Sequence, residues 1–382
     1  MRITGVRTTV VGTAWRNLVY VEIETDDGIV GLGEATLHNF EEAVLAHVDS
    51  LARRYVVGRD PFDVEDLVAT VFRDEFFRGG GVHMTALAGI EIACWDLIGK
   101  ATRQPVYRLL GGACHERVPA YANGWYTGER TPDEFAARAA AAVARGYRAL
   151  KVDPFGAGGL RLSRAELAAA RALVTAVRDA VGPQVELLLE GHGRFNASTA
   201  IEVARALADL DLGWFEEPVQ PEDLAGLRAV AAAAPIPLAA GERVYTRYDA
   251  QRLLETGAVA VFQADPLHTG GLLETKKMIA LAELYSAQVA LHNSNGPVCS
   301  AVALHLHASS PNVRLQESFD DFAEPYVRGS VPGAPAIGPD GSFGLPTSPG
   351  LGVELDHALA AAHPYRALHF NLWAEDWHRR DV

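Results

Sequence analysis

The sequence predicts an α/β protein in which parallel strands close into a barrel, preceded by a smaller N-terminal α+β domain. Eight short apolar runs recur between residues 118 and 318, separated from one another by helix-length segments rich in Ala and Leu. Repeated strand–helix units give parallel sheets, and eight of them favour a closed barrel over an open sheet. Before residue 118 the apolar pattern lacks this rhythm, which indicates a separate unit.

Residues 1–35 predict a hairpin or meander. The run VYVEIETDDGIVGLGEA alternates apolar and polar residues on both sides of Asp27-Gly28, a strong turn signal. Residues 40–110 change to helical spacing, as in EEAVLAHVDSLARRYV and MTALAGIEIACWDLIGKA. Gly111-Gly112 then ends a helix, and we expect a domain boundary close to it.

The barrel strands can be assigned from apolar runs that are four to seven residues long. They are 118–121, 149–152, 185–190, 212–217, 236–242, 259–265, 288–293 and 313–318. The loop-rich segment that follows is expected to return to the N-terminal domain, with Trp373 and Trp377 as packing residues. The predicted domains are an N-terminal α+β capping domain (1–117), a barrel (118–345) and a returning C-terminal segment (346–382).

The composition excludes several classes of protein. A chain of 382 residues with 49% hydrophobic and 21% charged residues has an ordinary globular composition. Its net charge of −14 argues against general nucleic-acid binding and against docking on anionic membranes. The three cysteines have no paired spacing, which indicates a reducing compartment. The sequence shows neither a signal peptide nor a run of ~18–20 apolar residues, so we expect a soluble, cytoplasmic protein.

Ionisable residues close six successive barrel strands. In chain order they are Glu190, Glu216, Glu242, Asp265, His292 and Glu317. Each interval is one strand–helix unit, so all six are expected at the same end of the barrel, the end where such barrels carry their active sites. A single glutamate after a strand is usually a helix cap or a salt-bridge partner, but six at matching strand ends are hard to assign to capping.

The first three of these residues predict a metal site. Carboxylates on adjacent strands would repel one another and raise each other's pKa unless a cation lay among them. Three oxygen donors with room for water and substrate suit Mg²⁺, and no Cys or paired His accompanies them as zinc would require. Asp265 and His292 come from neighbouring strands, so a hydrogen bond between them is expected, and it would orient the imidazole as a general base.

Several motifs together resemble the enolase superfamily, mandelate racemase subgroup, over nearly the whole chain. They are WFEEP with Glu216, AAGER with Glu242, QADPLHTGG with Asp265, LHNSNGP with His292 and LQES with Glu317. The further motif EGHGRF is similar to that of acid-sugar dehydratases of the galactonate dehydratase type.

The resemblance implies a (β/α)7β TIM-like barrel under an α+β capping domain, Mg²⁺ as cofactor, and abstraction of a proton α to a carboxylate. It makes Glu190 the first metal ligand and His192 the general acid. Glu317, if protonated, would donate a hydrogen bond to the enediolate intermediate, and its surroundings would then have to raise its pKa. The resemblance also suggests a homo-oligomer.

Two positions depart from the family pattern. Glu190 stands where Asp is usual, which keeps the charge of the ligand. The racemases have Lys-x-Lys after the second barrel strand, whereas this chain has Lys151-Val-Asp153. The second lysine base is missing, and Asp153 could act as a base or form an ion pair with Lys151.

These features predict Mg²⁺-dependent dehydration of a sugar acid to a 2-keto-3-deoxy acid. His292 would remove the α proton and His192 would protonate the departing hydroxyl. Epimerisation, racemisation or cycloisomerisation of a related hydroxy-carboxylate is the alternative. A Schiff-base aldolase using Lys151 and a non-catalytic binding protein are rivals from other classes, and the glutamate triad argues against both.

Substrate contacts are expected from residues around the barrel mouth. The candidates in the barrel are Lys151, Asp153, Arg194 and Trp125. Those in the capping domain are Trp15, Arg16, Asn17 and Arg78, of which Arg16 is retained as a substrate-binding residue. Each of the four capping-domain residues could instead be purely structural.

Overall fold

A computed structural model of the protein describes residues 1–374. Its N-terminal part is an antiparallel sheet in the order β1-β2-β3, as the alternating pattern predicts. The strands are β1 (Ile3–Gly12), β2 (Asn17–Thr25) and β3 (Val30–Glu34). The helices that follow are α1 (Glu41–Leu51) with a π-helical end (Ala52–Val56), a 3-10 turn (Pro61–Asp63), α2 (Val64–Asp74), α3 (Gly81–Thr102) and α4 (Val106–Leu109).

Helix α3 packs its backbone directly on β3. A Cβ at Gly31 would lie 2.1 Å from the carbonyl oxygen of Ala93, and one at Gly33 would lie 2.1 Å from that of Gly89. Glycine is therefore required at both strand positions. By length and composition α3 could cross a membrane, but 83% of its apolar window is buried inside the protein, as expected for the core helix of the capping domain.

The barrel contains the eight predicted parallel strands and the seven helices between them. The strands are β4 (Arg117–Ala122), β5 (Ala149–Val152), β6 (Glu186–Glu190), β7 (Leu212–Glu216), β8 (Leu238–Ala240), β9 (Val261–Phe262), β10 (Gln288–Val289) and β11 (Gln316–Ser318). The helices are α5 (Pro132–Ala144), α6 (Arg164–Val181), α7 (Ala197–Ala206), α8 (Leu224–Ala233), α9 (Arg247–Leu254), α10 (Leu272–Leu284) and α11 (Pro297–Ala308). A 3-10 turn (Ala208–Leu210) follows α7.

The strand order is β10-β9-β8-β7-β6-β5-β4-β11, so the first barrel strand pairs with the last. A parallel bridge between Val289 and Val313 joins β10 to the segment leading into β11. The backbone N–H of Val289 donates to the carbonyl of Asn312, and that of Arg314 donates to the carbonyl of Val289, both at 2.8 Å. The (β/α)7β barrel is therefore closed, as predicted.

One buried side chain from each strand, or from the residue next to it, fills the barrel interior. These side chains are Tyr121, Ala149, Leu188, Trp214, Ala239, Val261, Ala290 and Leu315. The rings of Tyr121 and Trp214 meet edge to face at 5.4 Å between centroids, and the alanines leave them room. A filled interior confines any substrate to the strand ends.

Two buried glutamates of the capping domain fix its position on the barrel. Glu34, at the end of β3, accepts hydrogen bonds from the backbone N–H groups of Gly296 (2.7 Å) and Cys299 (2.9 Å) at the start of α11. Glu91, in α3, accepts from the first two N–H groups of α10 at 2.7 and 2.9 Å. A carboxylate satisfies the free donors of a helix N-terminus, so these contacts orient the loops that follow β9 and β10.

The chain after β11 leaves the strand–helix rhythm and returns to the capping domain. Its elements are a 3-10 turn (Asp320–Phe322), α12 (Pro325–Gly329), β12 (Ser342–Gly344) and α13 (His357–Ala362). β12 pairs antiparallel with β4, and Gly12 in β1 donates to the carbonyl of His363 at 2.8 Å. The predicted domain boundaries at 117/118 and 345/346 stay predictions.

Candidate active site

Three glutamates converge at the carboxyl ends of the barrel strands. Glu190 and Glu216 are the last residues of β6 and β7, and Glu242 follows β8 by two residues. One oxygen from each lies within 4.8 Å of the others. Because the strands are parallel and neighbouring, the 26-residue spacing seen in the sequence brings these side chains to one point.

The donor set fits a divalent cation. Oε2 of Glu190 is buried and accepts no hydrogen bond from the described residues, although the ammonium of Lys151 lies 3.1 Å away. Burial raises the pKa of Glu190 to about 7 against the opposing effect of Lys151. Burial and the neighbouring Glu190 raise the pKa of Glu216 to about 8. Three carboxylates in such surroundings ionise together only beside a compensating positive charge.

Lys151 supplies part of that charge. Its Nζ lies 2.7 Å from Oε1 of Glu216 and 3.0 Å from Oε1 of Glu317, in addition to the contact with Glu190. Although burial acts in the opposite direction, Glu216 and Glu317 hold the pKa of Lys151 well above its ordinary value. The lysine is therefore cationic, whereas a Schiff-base lysine must be reached in its neutral form.

His292 and Asp265 form the expected dyad. Nδ1 of His292 lies 2.8 Å from Oδ2 of Asp265. The carboxylate also accepts from Nδ2 of Asn295 and from the backbone N–H of Leu267, both at 2.8 Å. This arrangement assigns the Nδ1–H tautomer and leaves Nε2, which lies 3.4 Å from Glu242, as the basic atom. Burial opposes the charge, but Glu242 and Asp265 raise the pKa of His292 to about 10. A cation bound by Glu242 would offset the effect of that carboxylate, and His292 acts as a base only from its neutral form.

A second histidine has the same kind of support. Nδ1 of His192 lies 2.8 Å from Oδ2 of Asp153, and Asp153 is fully buried. The backbone of His192 has a φ of +49°, and its N–H donates to Oε1 of Glu190 at 2.7 Å. The left-handed conformation, stabilised by this bond, turns the imidazole from the strand end towards Asp153.

A cavity of about 290 Å³ connects these groups. On its wall lie Lys151, Glu190, His192, Glu242, His292, Asn123, Tyr126, Arg243, Tyr245, His268, Ser294, Trp15, Leu37, His38, Phe319, Phe370 and Leu372. The volume lies at the lower end of the usual range for ligand sites, ~300–1,000 Å³, and suits a small molecule. A larger cavity of about 400 Å³ shares Arg243 and Tyr245 with it but is lined mainly by the loops that follow β7 and β8, and neither of the two histidines lines it.

Comparison with known proteins agrees with the geometry. Residues 2–111 match the mandelate racemase / muconate lactonizing enzyme N-terminal domain, and residues 134–359 match the enolase C-terminal domain-like family. Similar proteins include a D-gluconate dehydratase of Thermoproteus tenax, 38% identical over 91% of this chain and 70% of that protein. Another is a D-galactonate dehydratase of Ralstonia nicotianae, 37% identical over 94% of this chain and 93% of that protein.

A solved structure extends the comparison to the fold. The mandelate racemase/muconate lactonizing enzyme from Jannaschia sp. CCS1 superposes with a TM-score of 0.89 at 33% identity, covering 96% of this chain and 98% of that chain. The chain belongs to the enolase superfamily. The resemblance drawn from the sequence motifs is therefore confirmed.

Within this superfamily site, Glu317 differs from the expectation of a protonated donor. Its Oε1 accepts from Nδ2 of Asn123 at 2.7 Å, and its Oε2 accepts from the backbone N–H of Asn293 at 2.7 Å. Although burial acts in the opposite direction, Lys151 and His292 lower the pKa of Glu317. A raised pKa was the condition for a donor role, and that condition is not met. Glu317 is an ionised acceptor that holds Lys151.

Asp153 and Arg194 also have roles different from those expected. Asp153 does not pair with Lys151; Nη2 of Arg194 donates to it instead. Arg194 also donates to the carbonyls of Gly191 (3.0 Å) and Gly156 (2.8 Å), and its side chain is fully buried. Neither residue lies on the cavity wall. We therefore revise their role from substrate contact to the support of His192.

Trp125 and Arg16 lie behind the wall as well. Nε1 of Trp125 donates to the carbonyl of Lys151 at 2.8 Å, which fixes the backbone of β5. The guanidinium of Arg16 lies 4.1 Å from the Trp15 ring centroid and 4.4 Å from that of Phe319. Arg16 thus supports two aromatic wall residues, and of the eight substrate-contact candidates only Lys151 and Trp15 line the cavity.

The remaining candidates lie farther from the cavity. Arg78 donates to the carbonyl of Phe72 at 3.1 Å in the capping domain. The ring of Trp373 lies 5.2 Å from the Arg194 guanidinium but is 45% exposed, so its packing role stays a prediction. Trp377 lies outside the described residues. Asn17 holds the C-terminal segment, as described below.

Several wall residues were missed by sequence reasoning. Arg243 directly follows Glu242 in the quoted AAGER motif, and its Nη2 donates to Glu217. Asn123 and Tyr126 follow the first barrel strand, close to the Trp125 that was selected instead. Their proximity to strand ends was a usable signal. Phe370 and Leu372 lie far from every barrel strand in the sequence, and nothing in the local pattern indicated them.

Proposed function

We propose that the protein is a Mg²⁺-dependent dehydratase of a sugar acid, with Glu190, Glu216 and Glu242 holding the ion. The observation that carries the proposal is the presence of two carboxylate-supported imidazoles beside the glutamate cluster in one small cavity. The dehydratase names of the similar proteins support the substrate class. A hard divalent cation bound there would stabilise the negative charge that develops on the substrate carboxylate.

The residues of the chain supply the proton transfers. Nε2 of His292 takes the proton from the carbon α to the carboxylate, while Asp265 stabilises the imidazolium that results. Lys151, held by Glu317, lies where its ammonium can contact a carboxylate oxygen of the acid. These positive groups offset the low acidity of the α proton.

His192 acts on the other reacting centre. Its protonated imidazole, held through Nδ1 by Asp153, gives its Nε2 proton to the β-hydroxyl, which leaves as water. The carbon–oxygen bond breaks as the electron pair from the α carbon forms the new double bond. The enol product then tautomerises to the 2-keto-3-deoxy acid. Trp15, Leu37 and the other apolar wall residues exclude water from the reacting atoms.

Epimerisation at the α carbon is a second candidate, and one observation favours it. Asp153 supports His192 as Asp265 supports His292, so either imidazole could act as a base. A two-base epimerase needs such a pair, one on each face of the carbon. This reaction would consume no hydroxyl group and release no water.

One experiment separates the two reactions. Metal-loaded protein is incubated in D₂O with a library of five- and six-carbon sugar acids, and the acids are followed by NMR. Formation of a 2-keto-3-deoxy acid supports dehydration. Accumulation of the C2 epimer with solvent deuterium and no keto acid would replace it with epimerisation. No reaction and no C2 exchange with any acid would contradict both. The homo-oligomer stays a prediction.

A further inference from the structure

The C-terminal tail forms part of the substrate cavity. Phe370 and Leu372 lie on its wall, although in the sequence they come long after the last barrel strand. Burial alternates along this stretch: Leu368, Phe370 and Leu372 are half-buried, whereas His369 and Asn371 are exposed. From Leu368 to Leu372 the tail therefore directs one face to the protein, and that inward face carries only apolar side chains.

Two asparagines of the capping domain hold the tail by its backbone. Nδ2 of Asn17 donates to the carbonyl of Arg366 at 3.0 Å, and the N–H of Arg366 donates to Oδ1 of Asn17 at 2.9 Å. Asn39 makes the same reciprocal pair with Phe370, with both distances 2.8 Å. An asparagine amide thus replaces a neighbouring β-strand at each point, and the side chain of Arg366 adds a hydrogen bond to the carbonyl of Thr13 at 3.1 Å.

Asn39 is adapted to this role. Its φ of +66° is in the left-handed region, where Asn is one of the few residues tolerated at low cost. The conformation directs its amide at the backbone of Phe370. The Phe370 ring then meets Trp15 edge to face, with 5.1 Å between centroids, and lies 6.2 Å from the ring of His38.

The cavity consequently has two unlike sides. The charged side contains Lys151, Glu190, Glu242 and the two histidines, which the proposed function assigns to the carboxylate and to the two reacting carbons next to it. The apolar side contains Trp15, Leu37, Phe319, Phe370 and Leu372. Most of the remaining wall residues are polar. With the carboxylate at the charged side, the far end of the carbon chain can reach the apolar residues, whose side chains have a fixed volume.

We propose that Phe370 and Leu372 are specificity-determining residues that limit the length of the acid. The inference rests on the proposed function for the orientation of the substrate, since it places the carboxylate at the charged side. Truncating Phe370 opens space beyond the end of the carbon chain. It leaves the histidines, the glutamates and Lys151 untouched.

The test compares aldonates of five, six and seven carbons that share the configuration of C2 and C3. Wild type, Phe370→Ala, Leu372→Ala and the control His369→Ala are assayed with Mg²⁺ for kcat/KM on each acid. One methylene in a fitted pocket changes kcat/KM by ~10-fold or more. For each protein we take kcat/KM for the longest acid relative to kcat/KM for the acid that wild type uses best. We expect Phe370→Ala to raise this ratio by about 10-fold. His369→Ala should leave that ratio unchanged.

A second variant tests the same inference without changing the wall. Asn39→Gly tolerates the positive φ but releases Phe370, so its length discrimination should also weaken, and a melting curve checks that it is folded. Unchanged ratios in folded Phe370→Ala, Leu372→Ala and Asn39→Gly would overturn the proposal. If wild type dehydrates none of the acids, the proposed function has failed. In that case the affinities of wild type and the variants for the same acids are measured by calorimetry. Affinities that change with acid length in the variants but not in His369→Ala would support the role of Phe370 and Leu372, and unchanged length preference would overturn it.

Discussion

Oδ2 of Asp153 lies 2.8 Å from Nδ1 of His192, and the same oxygen accepts a hydrogen bond from Arg194. The position at which the family resemblance led us to expect a second lysine is thus used here to hold a histidine. Although burial acts in the opposite direction, Arg194 and His192 hold the pKa of Asp153 well below its ordinary value. Asp153 is therefore a permanent carboxylate and not a proton-transfer group.

Replacing Asp153 should separate the two halves of the reaction. Asp153→Asn keeps the size of the side chain but loses the charge that stabilises the imidazolium, so dehydration should fall by about 10²-fold, as for an impaired general acid. Exchange of the α proton with D₂O, which depends on His292, should persist when measured by NMR. A substrate analogue with fluoride in place of the β-hydroxyl should restore elimination, because fluoride leaves with less need of a proton. Equal loss of exchange and dehydration would contradict the assignment.

Glu317 should tolerate neither Gln nor Leu. Its two oxygens accept from Asn123, Lys151 and the N–H of Asn293, and the amide of Gln would place a donor against one of these donors. Each unpaired buried group costs ~1–3 kcal/mol. We expect both variants to lower kcat/KM and the midpoint of urea unfolding. A Glu317→Gln enzyme with wild-type turnover would instead reinstate a protonated glutamate.

Metal affinity should depend on Glu190, Glu216 and Glu242 but not on the neighbouring Glu217. Glu216→Gln removes one charged ligand, and we expect the Kd for Mg²⁺ measured by calorimetry to rise at least ~100-fold, since even outer-shell changes cost 10–100-fold. Glu217→Gln is the matched control, because this buried carboxylate pairs with Arg243 and lies outside the cluster. Chelation should abolish activity and Mg²⁺ should restore it. Full activity after exhaustive chelation would remove the metal from the mechanism.

Two buried histidines that do not line the cavity should set the acid limit of stability. Burial lowers the pKa of both His305 and His307 to about 4. His305 accepts from the N–H of Tyr107 at 3.0 Å, and His307 accepts from that of Leu291 at 3.3 Å, so each ring must be neutral on that side.

The folded state therefore binds fewer protons than the unfolded state between pH 4 and 6.5. The stability that these residues contribute is complete above pH 6.5 and is lost as pH falls towards 4. One pKa unit corresponds to ~1.4 kcal/mol, so the loss should reach a few kcal/mol. The free energy of unfolding, measured with urea at several pH values between 4 and 6.5, should change less steeply with pH in His307→Gln than in wild type. A slope identical in the variant would show that His307 does not titrate on unfolding.

Much of the fold and the centre of the site follows from local sequence pattern. Apolar runs at a spacing of one strand–helix unit predict parallel strands, and parallel strands place all their carboxyl ends together. The positions of Glu190, Glu216 and Glu242 are thereby determined without any knowledge of tertiary contacts. The same holds for Asp265 and His292, whose neighbouring strands put them within hydrogen-bond distance.

Only the tertiary structure decided which partner each charged side chain would take. Lys151 and Asp153 are two residues apart in the sequence, yet one contacts the glutamates and the other contacts Arg194 and His192. The strand ends between them, so the alternation that relates their side chains ends as well. The ionisation of Glu317 and the place of Phe370 on the cavity wall likewise depend on residues distant in the chain. Periodicity determines which side of an element faces the core, whereas pairing across elements depends on the loops and the packing that bring them together.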